Sequence, residues 1–322
     1  MADRHEIFTA ADSNYWLQAC VLVRSLSLTQ RERTHLHVFG CGWKTEMLSS
    51  LKRNSFGTVT AEYVEVDESK FEDVKLSHKF PLATAYNVLA ADFLLPNVGR
   101  ATYLDADMVV LEDLEQIRSL ELKTPVAAVV DAHVTRLGNP SMWRPWIELG
   151  VDPASLYFNT GFMVLDLTTW RQTRLADQVL DLLRQYQMPC VDQDALNLIL
   201  RGNFDRLSPR FNSMPYHLLQ MFRNADVDET PNAIADAISD PAVLHFHRSF
   251  LGKPWLIGCT HPGRSLWRQL ANEVSKDWRK SAATKDFVRN RAARLAGMAK
   301  VDPRAESMAH LRLKEARSGS YE

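Results

Sequence analysis

Cysteines are few in this 322-residue sequence, and none stands beside another in a CxxC pair. The four of them, Cys20, Cys41, Cys190 and Cys259, are scattered along the chain, which argues against an oxidising compartment. The opening residues, MADRHEIFTAAD, lack the basic start and apolar run of a secretory signal peptide. We therefore expect a cytoplasmic protein.

Long apolar runs and an excess of charge of one sign are also missing. No stretch approaches the roughly 18 uncharged apolar residues that a membrane-spanning helix requires. The formal net charge is -1, so the chain as a whole does not attract nucleic acid, and any anion must be bound by a local site. No glycine-rich phosphate loop follows the first predicted strand, which disfavours a nucleotidyltransferase.

Short apolar runs alternate with longer segments of helical period, a pattern typical of a wound α/β sheet. We predict strands at 6–11, 35–40, 58–66, 101–104, 125–130, 158–167 and 242–247. We predict helices near 14–28, 44–53, 81–95, 168–187 and 193–201. One domain is predicted over 1–262, followed by a helical, basic extension over 263–322.

The extension is most basic between Lys276 and Lys300, where eight Lys or Arg residues stand against two Asp. Apolar side chains, among them Trp278 and Phe287, recur at helical spacing in this segment. A solvent-facing terminal helix explains such a charge run. Peripheral contact with an anionic membrane, at its inner face, is the alternative.

Two acidic residues, Asp105 and Asp107, directly follow the strand predicted at 101–104. Residues two apart in an extended backbone point to the same side, so both carboxylates are expected to face one spot at the carboxyl end of the sheet. Such a pair favours a divalent cation. The alternative is that one of them caps a helix beginning near Leu111. His245 or His247, on the late strand, would bring an imidazole that favours manganese over magnesium.

Other polar residues lie where a ligand could approach the sheet. The motif FNTGFMVLD places Asn159 and Gly161 at the start of an apolar strand, although a glycine bulge explains that pattern as well. Asp192 and Asp12 each lie near a predicted helix start, where helix capping is an equal alternative. Lys253, in GKPW, could pair with a diphosphate or be a solvated loop residue.

Six segments together resemble glycosyltransferase family 8, the retaining galactosyl- and glucosyltransferases. They are FTAADSNY, YLDADMVVLEDLEQI, FNTGFMVLDLTTWR, DQDALN, RFNSMP and LHFH…GKPW, in the family's order. The resemblance spans most of residues 6–255. It implies a single GT-A type α/β domain with a Rossmann-like nucleotide-binding sheet, and a UDP-sugar donor whose diphosphate is held by Mn²⁺, with Mg²⁺ as the alternative.

The resemblance also implies roles for individual residues. The expected metal ligands are Asp105, Asp107 and His245, with His247 left open because the count back from Lys253 selects it. The expected donor-binding residues are Ala10, Asp12, Asn14, Tyr15, Asp105, Ala106, Asp107, Asn159, Gly161 and Lys253. The expected catalytic pair below the anomeric carbon is Asp192 and Gln193.

The resemblance leaves the route to retention open between a covalent intermediate on Asp192 and a same-face substitution. The sequence departs from the family pattern at Val88, where an Arg is common. Asn87 is the neighbouring polar candidate to replace that Arg. We expect transfer of galactose or glucose to a glycan or glycolipid acceptor, in assembly of a bacterial-type envelope or capsule. The alternatives are a glycogenin-like self-glucosylating protein and a catalytically inactive homologue.

Overall fold

The computed structural model describes residues 4–76, 81–94, 96–139, 145–217, 229–247 and 251–281. Nine strands are described: β1 His5–Ala10, β2 Thr34–Gly40, β3 Val59–Glu65, β4 Arg100–Leu104, β5 Met108–Val110, β6 Val126–Val130, β7 Phe158–Asp166, β8 Asp205–Arg206 and β9 Val243–His245. The α-helices described are α1 Trp16–Thr29, α2 Thr45–Asn54, α3 Ala90–Phe93, α4 Glu115–Arg118, α5 Pro145–Glu148, α6 Leu167–Gln172, α7 Leu175–Gln185, α8 Val191–Leu200, α9 Pro231–Ser239 and α10 Arg264–Val274. Four 3₁₀ helices are described as well: Glu68–Phe71, Leu82–Leu89, Pro209–Asn212 and Trp278–Ser281.

A seven-stranded sheet in the order β3-β2-β1-β4-β7-β6-β8 forms the centre of the molecule. The first four strands in that order are parallel, β7 is antiparallel to both of its neighbours, and β8 is parallel to β6. The carboxyl ends of β1 and β4 therefore meet at one edge of the sheet, which is where ligands bind in open α/β folds. The predicted mixed α/β architecture is confirmed.

Both faces of the sheet are covered, which explains why its inner strands read as continuous apolar runs. One face packs against α1, which in turn packs against α10. The core on this face includes Leu22 of α1 and Leu36 of β2. The other face packs against the 3₁₀ helix Leu82–Leu89 and helices α7 and α8, and forms a core with Phe8 and Leu183. Strand β6 is buried at every position.

Two of the predicted helices are wrong in detail. The segment predicted as one helix at 81–95 is a 3₁₀ helix at Leu82–Leu89 followed by the single turn of α3. Its side chains are buried on nearly every side, so tertiary packing overrides helix propensity there. The helix predicted at 168–187 is divided into α6 and α7 because Arg174 adopts a left-handed backbone, with φ of 52°.

The last strand does not join the main sheet as the sequence pattern suggested. Strand β9 pairs instead with β5 in a separate antiparallel two-stranded sheet, with Met108 opposite His245. Strand β5 itself was not predicted, because a three-residue apolar run is too short to show a period. The helix predicted to start near Leu111 is the short α4, four residues further on.

The chain continues in the same core beyond the predicted boundary at residue 262. Helix α10 packs against α1, and its Leu266, Trp267 and Leu270 are fully buried. Trp278, which the sequence pattern placed in the basic extension, is buried edge-to-face against Trp267.

Most of the basic segment considered for membrane contact lies outside the described residues, from 282 onward. That contact therefore stays a prediction. Among the residues that the structure describes, no helix is long and apolar enough to cross a membrane.

Replacement of Leu270 tests whether α10 belongs to the folding unit. Leu270→Ala is expected to lower the free energy of unfolding by about 2–5 kcal/mol, because it removes a fully buried side chain and leaves a cavity. Urea unfolding followed by circular dichroism measures the change. Gln269→Ala, a partly exposed position of the same helix, is the matched control. A loss below about 0.5 kcal/mol in Leu270→Ala, the range of ordinary surface changes, would place α10 outside the cooperative core.

Candidate active site

The two aspartates lie in a turn directly after β4. The Asp105 amide donates to the carbonyl of Gly161 on β7 at 2.8 Å, and the Met108 amide donates back to the Asp105 carbonyl at 3.1 Å. Ala106, which separates the two aspartates in the sequence, is buried. The predicted convergence of the carboxylates is therefore produced by a turn rather than by an extended backbone.

The small sheet formed by β5 and β9 brings a histidine to this turn. The Phe246 amide donates to the Asp107 carbonyl at 3.0 Å, which extends the pairing past β9. His245 Nε2 then lies 3.4 Å from Asp105 Oδ2 and 3.3 Å from Asp107 Oδ1. One carboxylate oxygen of each aspartate and one ring nitrogen of His245 lie within 4.8 Å of one another.

The structure distinguishes the two histidines that the sequence left as alternatives. His245 lies between the two aspartates. The His247 ring packs edge-to-face against the His245 ring, with ring centroids 5.4 Å apart. The Nδ1 of His247 is buried and has no hydrogen-bond partner among the residues that the structure describes. Burial, together with the nearby His245, lowers the pKa of His247 to about 4. The geometry favours His245 as the ligand.

A hydrogen-bonded chain of side chains orients His245. The Asp131 carboxylate can only accept, so Asn159 directs its Nδ2 toward it at 2.9 Å and its Oδ1 toward Asn212. Asn212 donates from its Nδ2 to that Oδ1 at 2.8 Å, which leaves its own Oδ1 facing His245 Nδ1 at 2.8 Å. The Nδ1 of His245 therefore carries a proton, and Nε2 is the ring nitrogen that faces Asp105 and Asp107. A second partner of this kind is typical of metal-binding histidines.

Gly161 is required by the close approach of these groups. A Cβ atom at this position would lie 2.6 Å from His245 Cε1 and 2.9 Å from both Asp105 Oδ2 and Asn159 Oδ1. Contacts under 3 Å would force the side chain of His245, Asp105 or Asn159 to move. The strand glycine thus leaves space for the carboxylate and the imidazole to converge.

Lys253 completes the charge balance of the site through an ion pair with Asp107 Oδ2. Burial favours the neutral amine, but the Asp107 carboxylate outweighs it and raises the pKa of Lys253. Burial also opposes ionisation of Asp107, yet Lys253 and His245 hold the pKa of that carboxyl well below its usual range. Removal from water raises the pKa of Asp105, and the like charge of Asp107 adds to the rise.

The predicted catalytic pair lies at the start of α8, where Gln193 contacts Asn159. Gln193 Oε1 accepts from Asn159 Nδ2 at 3.0 Å and from the Thr160 amide at 3.2 Å. Asp192 is buried, and its Oδ2 accepts from Asn87 Nδ2 at 2.7 Å. Burial raises the pKa of Asp192 to about 7.

The contact with Asn87 bears on the departure from the family at position 88. Val88 is fully buried in the apolar core and cannot reach a ligand. Asn87, the polar candidate named from the sequence, instead reaches Asp192 in the site.

The residues expected to bind the nucleotide follow β1 at the same edge of the sheet. Asp12 Oδ1 accepts from the amides of Asn14 at 2.9 Å and Tyr15 at 3.0 Å, so Asp12 also shapes the turn before α1. The Tyr15 ring packs edge-to-face against Trp255, with centroids 5.8 Å apart. Ala10, the last residue of β1, is partly exposed.

Four residues at the site were not predicted as site residues. Asp131 and Asn212 act in the chain that orients His245, Tyr103 donates to Asp105 Oδ1 at 2.7 Å, and the Trp255 ring lies beside the Lys253 ammonium and Tyr15. Asn212 and Trp255 stand within the quoted motifs RFNSMP and GKPW, so the motifs held a signal for them. Asp131 simply follows an apolar strand, which is a weak signal.

The donor set fits a divalent cation. Two carboxylates and an imidazole nitrogen converge on one point, and oxygen and imidazole ligands together can bind a divalent ion. The alternative for the pair, helix capping by one aspartate, is not what the structure shows, since the described turn leads into β5.

The fold and this site together define a class of protein, the GT-A glycosyltransferases. The solved structure of the galactosyltransferase LgtC, in complex with donor and acceptor sugar analogs, superposes with a TM-score of 0.74 at 22% sequence identity. The match covers 86% of this chain and 99% of that chain. The predicted GT-A fold is confirmed.

The chain belongs to glycosyltransferase family 8, because the sequence model described as glycosyl transferase family 8 matches residues 6–258. General stress protein A of Bacillus subtilis (strain 168) is 28% identical over 274 residues, which are 80% of this chain and 90% of that protein. Lipopolysaccharide 1,2-glucosyltransferase of Escherichia coli (strain K12) is 26% identical over 286 residues, 83% of this chain and 77% of that protein. The chain is thus a glycosyltransferase related to the lipopolysaccharide hexosyltransferases.

Replacement of Asn212 tests the chain that orients His245. Asn212→Ala frees the imidazole to rotate or change tautomer, so the affinity for Mn²⁺ is expected to fall roughly 10- to 100-fold. Titration of free Mn²⁺ by electron paramagnetic resonance measures it. Asn54→Ala, which removes an equally buried amide remote from the site, is the control. Equal Mn²⁺ affinity in the two variants would contradict the role of Asn212.

The raised pKa of Asp192 predicts a pH dependence of stability. The folded-state pKa of about 7 exceeds the ordinary 3.8, so the neutral acid stabilises the fold at low pH and this contribution is lost as the pH rises through 7. Between pH 4 and 7, the free energy of unfolding should fall more steeply in the wild type than in Asp192→Asn, by up to about 1.4 kcal/mol per pH unit. Urea unfolding of the metal-free proteins measures the difference, and the exposed Asp177→Asn is the control. Parallel profiles of wild type and Asp192→Asn would show that the carboxyl is ionised throughout.

Proposed function

We propose that the protein is a retaining hexosyltransferase that transfers galactose or glucose from a UDP-sugar to a glycan or glycolipid acceptor, with a divalent metal ion. The observation that carries the proposal is the convergence of Asp105, Asp107 and His245 beside Lys253 at the carboxyl edge of the sheet. Membership of family 8 and the lipopolysaccharide relatives support the reaction class.

Asp105, Asp107 and His245 would hold the metal, with Mn²⁺ preferred over Mg²⁺ because of the imidazole. When bound, the cation supplies positive charge to the diphosphate as the glycosidic bond breaks. The Nε2 of His245, held toward the aspartates through Asn212, is the ring nitrogen that would bind the ion. The two carboxylates would otherwise repel each other in a site largely removed from water.

Lys253 is the chain's own cation for the leaving group. Its ammonium is paired with Asp107 and lies beside the Trp255 ring, so it is both charged and held in place. Binding of a diphosphate at this edge would give it a second anionic partner. A fixed positive charge where negative charge develops stabilises the transition state without reorganisation.

The surroundings of Asp192 and Gln193 favour same-face substitution over a covalent intermediate. Asp192 has one oxygen occupied by Asn87 and a pKa near 7, so a large fraction of it is neutral at physiological pH and poorly nucleophilic. The Gln193 amide oxygen is taken by Asn159 and Thr160. Both side chains are therefore better suited to hold sugar hydroxyls, while the departing phosphate takes the acceptor proton.

The two alternative functions have less support. An inactive homologue has no need to keep two aspartates, the histidine and the lysine in contact, as they are here. Self-glucosylation would need an acceptor tyrosine, and Tyr321, near the end of the sequence, lies outside the described residues. Incubation with UDP-glucose alone followed by mass spectrometry separates self-modification, which adds hexose mass to the protein, from transfer to another acceptor.

A panel of UDP-sugars tests the proposed activity directly. With Mn²⁺ present, release of UDP is expected from UDP-galactose or UDP-glucose, since a bound donor is hydrolysed slowly even without its acceptor. Release should stop when the metal is chelated and return when Mn²⁺ is restored. Absence of both UDP release and UDP binding across the panel would refute the proposed transferase activity.

Neutralisation of either aspartate tests the metal assignment. Asp105→Asn and Asp107→Asn are each expected to reduce metal-dependent UDP release to the limit of detection, because one anionic ligand is lost. The melting temperature should change little in Asp105→Asn, where a like-charge repulsion is relieved, whereas Asp107→Asn also loses the ion pair with Lys253 and is expected to melt at a lower temperature. Asp177→Asn, at an exposed residue of α7, is the charge-matched control. Near-normal UDP release in both site variants would contradict the assignment of these aspartates as metal ligands.

A further inference from the structure

A second cluster of ligand-type side chains lies on the sheet away from the active site. His35 and His37 occupy alternate positions of β2, so both point to the same face. Glu62 on the neighbouring strand β3 pairs with His37 in register, and Glu6 on β1 pairs with His35. The cluster lies toward the amino ends of β1 and β2, whereas Asp105 follows the carboxyl end of β4.

The ring nitrogens of both histidines converge on one carboxylate. Glu62 Oε1 lies 3.3 Å from His35 Nε2 and 2.7 Å from His37 Nδ1. Ligand atoms around a tetrahedral Zn²⁺, at about 2.0–2.2 Å from the ion, are themselves about 3.3 Å apart. The three ligand atoms lie within 4.8 Å of one another, so small side-chain movements would enclose such an ion.

The outer nitrogen of each ring already has a hydrogen-bond partner. His37 Nε2 lies 2.9 Å from Glu6 Oε2, and a carboxylate can only accept, so this nitrogen carries a proton. His35 Nδ1 lies 2.6 Å from the Thr60 hydroxyl. Both rings therefore have the partner that orients metal-binding histidines, and the inner nitrogens are the ones turned toward Glu62.

His37 stands between two carboxylates, Glu6 and Glu62, and neither of them can donate a hydrogen bond. The short distance from His37 Nδ1 to Glu62 thus needs a positive species, which is either a second ring proton or a metal ion. The side chains of His35 and His37 are 12% and 7% exposed, but that of Glu62 is 52% exposed. The site is thus open to solvent on the side where an ion would enter.

We propose that His35, His37 and Glu62 form a second metal site that takes a divalent late-transition metal of the zinc class, with water completing the coordination. Two imidazoles and one carboxylate are a donor set suited to Zn²⁺ rather than to Mg²⁺ or Ca²⁺. The ion would tie the edge strand β3 to β2 and stabilise that side of the sheet. This proposal does not rest on the transferase activity.

Zinc binding is measured on the full chain, without a polyhistidine tag, in an Asp105→Asn/Asp107→Asn background that removes two ligands of the active site. Equilibrium dialysis with ZnCl₂ as the probe, followed by atomic absorption, gives the bound zinc per chain. We expect one equivalent in this parent protein, together with a zinc-dependent rise in melting temperature. An absence of bound zinc in the parent protein would overturn the proposal and leave only a proton between His37 and Glu62.

Replacement of the exposed ligand distinguishes this site from other zinc-binding groups. In the same background, Glu62→Gln is expected to weaken zinc binding at least roughly tenfold and to abolish the rise in melting temperature. Glu65→Gln, at an exposed glutamate of the same strand, should bind zinc as the parent protein does. His35→Gln/His37→Gln should behave as Glu62→Gln, and because Glu62 is half-exposed its single variant remains informative if the double variant fails to fold. Equal zinc binding by Glu62→Gln and Glu65→Gln would overturn the proposal.

Discussion

Two carboxylates held a few ångströms apart and largely removed from water set the electrostatic requirement of this molecule. The repulsion between Asp105 and Asp107 has to be offset by nearby positive charge, and the structure supplies it from the Lys253 ammonium, with His245 between the two acids. These groups come from distant parts of the chain, so the β4 turn, β9 and the loop after it must converge at one edge of the sheet. The pairing of β5 with β9 brings His245 to the turn that carries the two aspartates.

The direction of single hydrogen bonds decides what each histidine can do. At the active site, the order from Asp131 through Asn159 and Asn212 places a proton on His245 Nδ1 and leaves Nε2 facing the aspartates. The same logic applies at the opposite end of the sheet, where Glu6 fixes the proton of His37 on its outer nitrogen. In both places a carboxylate outside the proposed set of metal ligands determines which ring nitrogen carries a proton.

Much of the candidate site could be predicted from short motifs, because the residues that bind a metal or a diphosphate are chemically distinctive. Asp105, Asp107 and Lys253 were predicted from the sequence; Asp107 is paired with Lys253, and His245 lies close to both aspartates. Asp131 was not predicted, since one acid after an apolar strand resembles any helix or turn cap. The exchange of a family arginine for Val88 looked like a loss, yet the adjacent Asn87 turns inward to Asp192, and only packing decides which side of a 3₁₀ helix faces the site.

The sequence by itself determined the α/β class, the positions of most strands along the chain and the motifs of the family, because apolar periodicity and strand-end polar residues are local properties. Only the tertiary structure shows that His245 rather than His247 lies between the two aspartates, since residues two apart on one strand point to the same side and their positions depend on the register of β9 against β5. The tertiary structure also decided that α10 belongs to the main core and that His35, His37 and Glu62 share one point. Those contacts join residues that are distant in the chain, and local sequence patterns do not record how such segments pair.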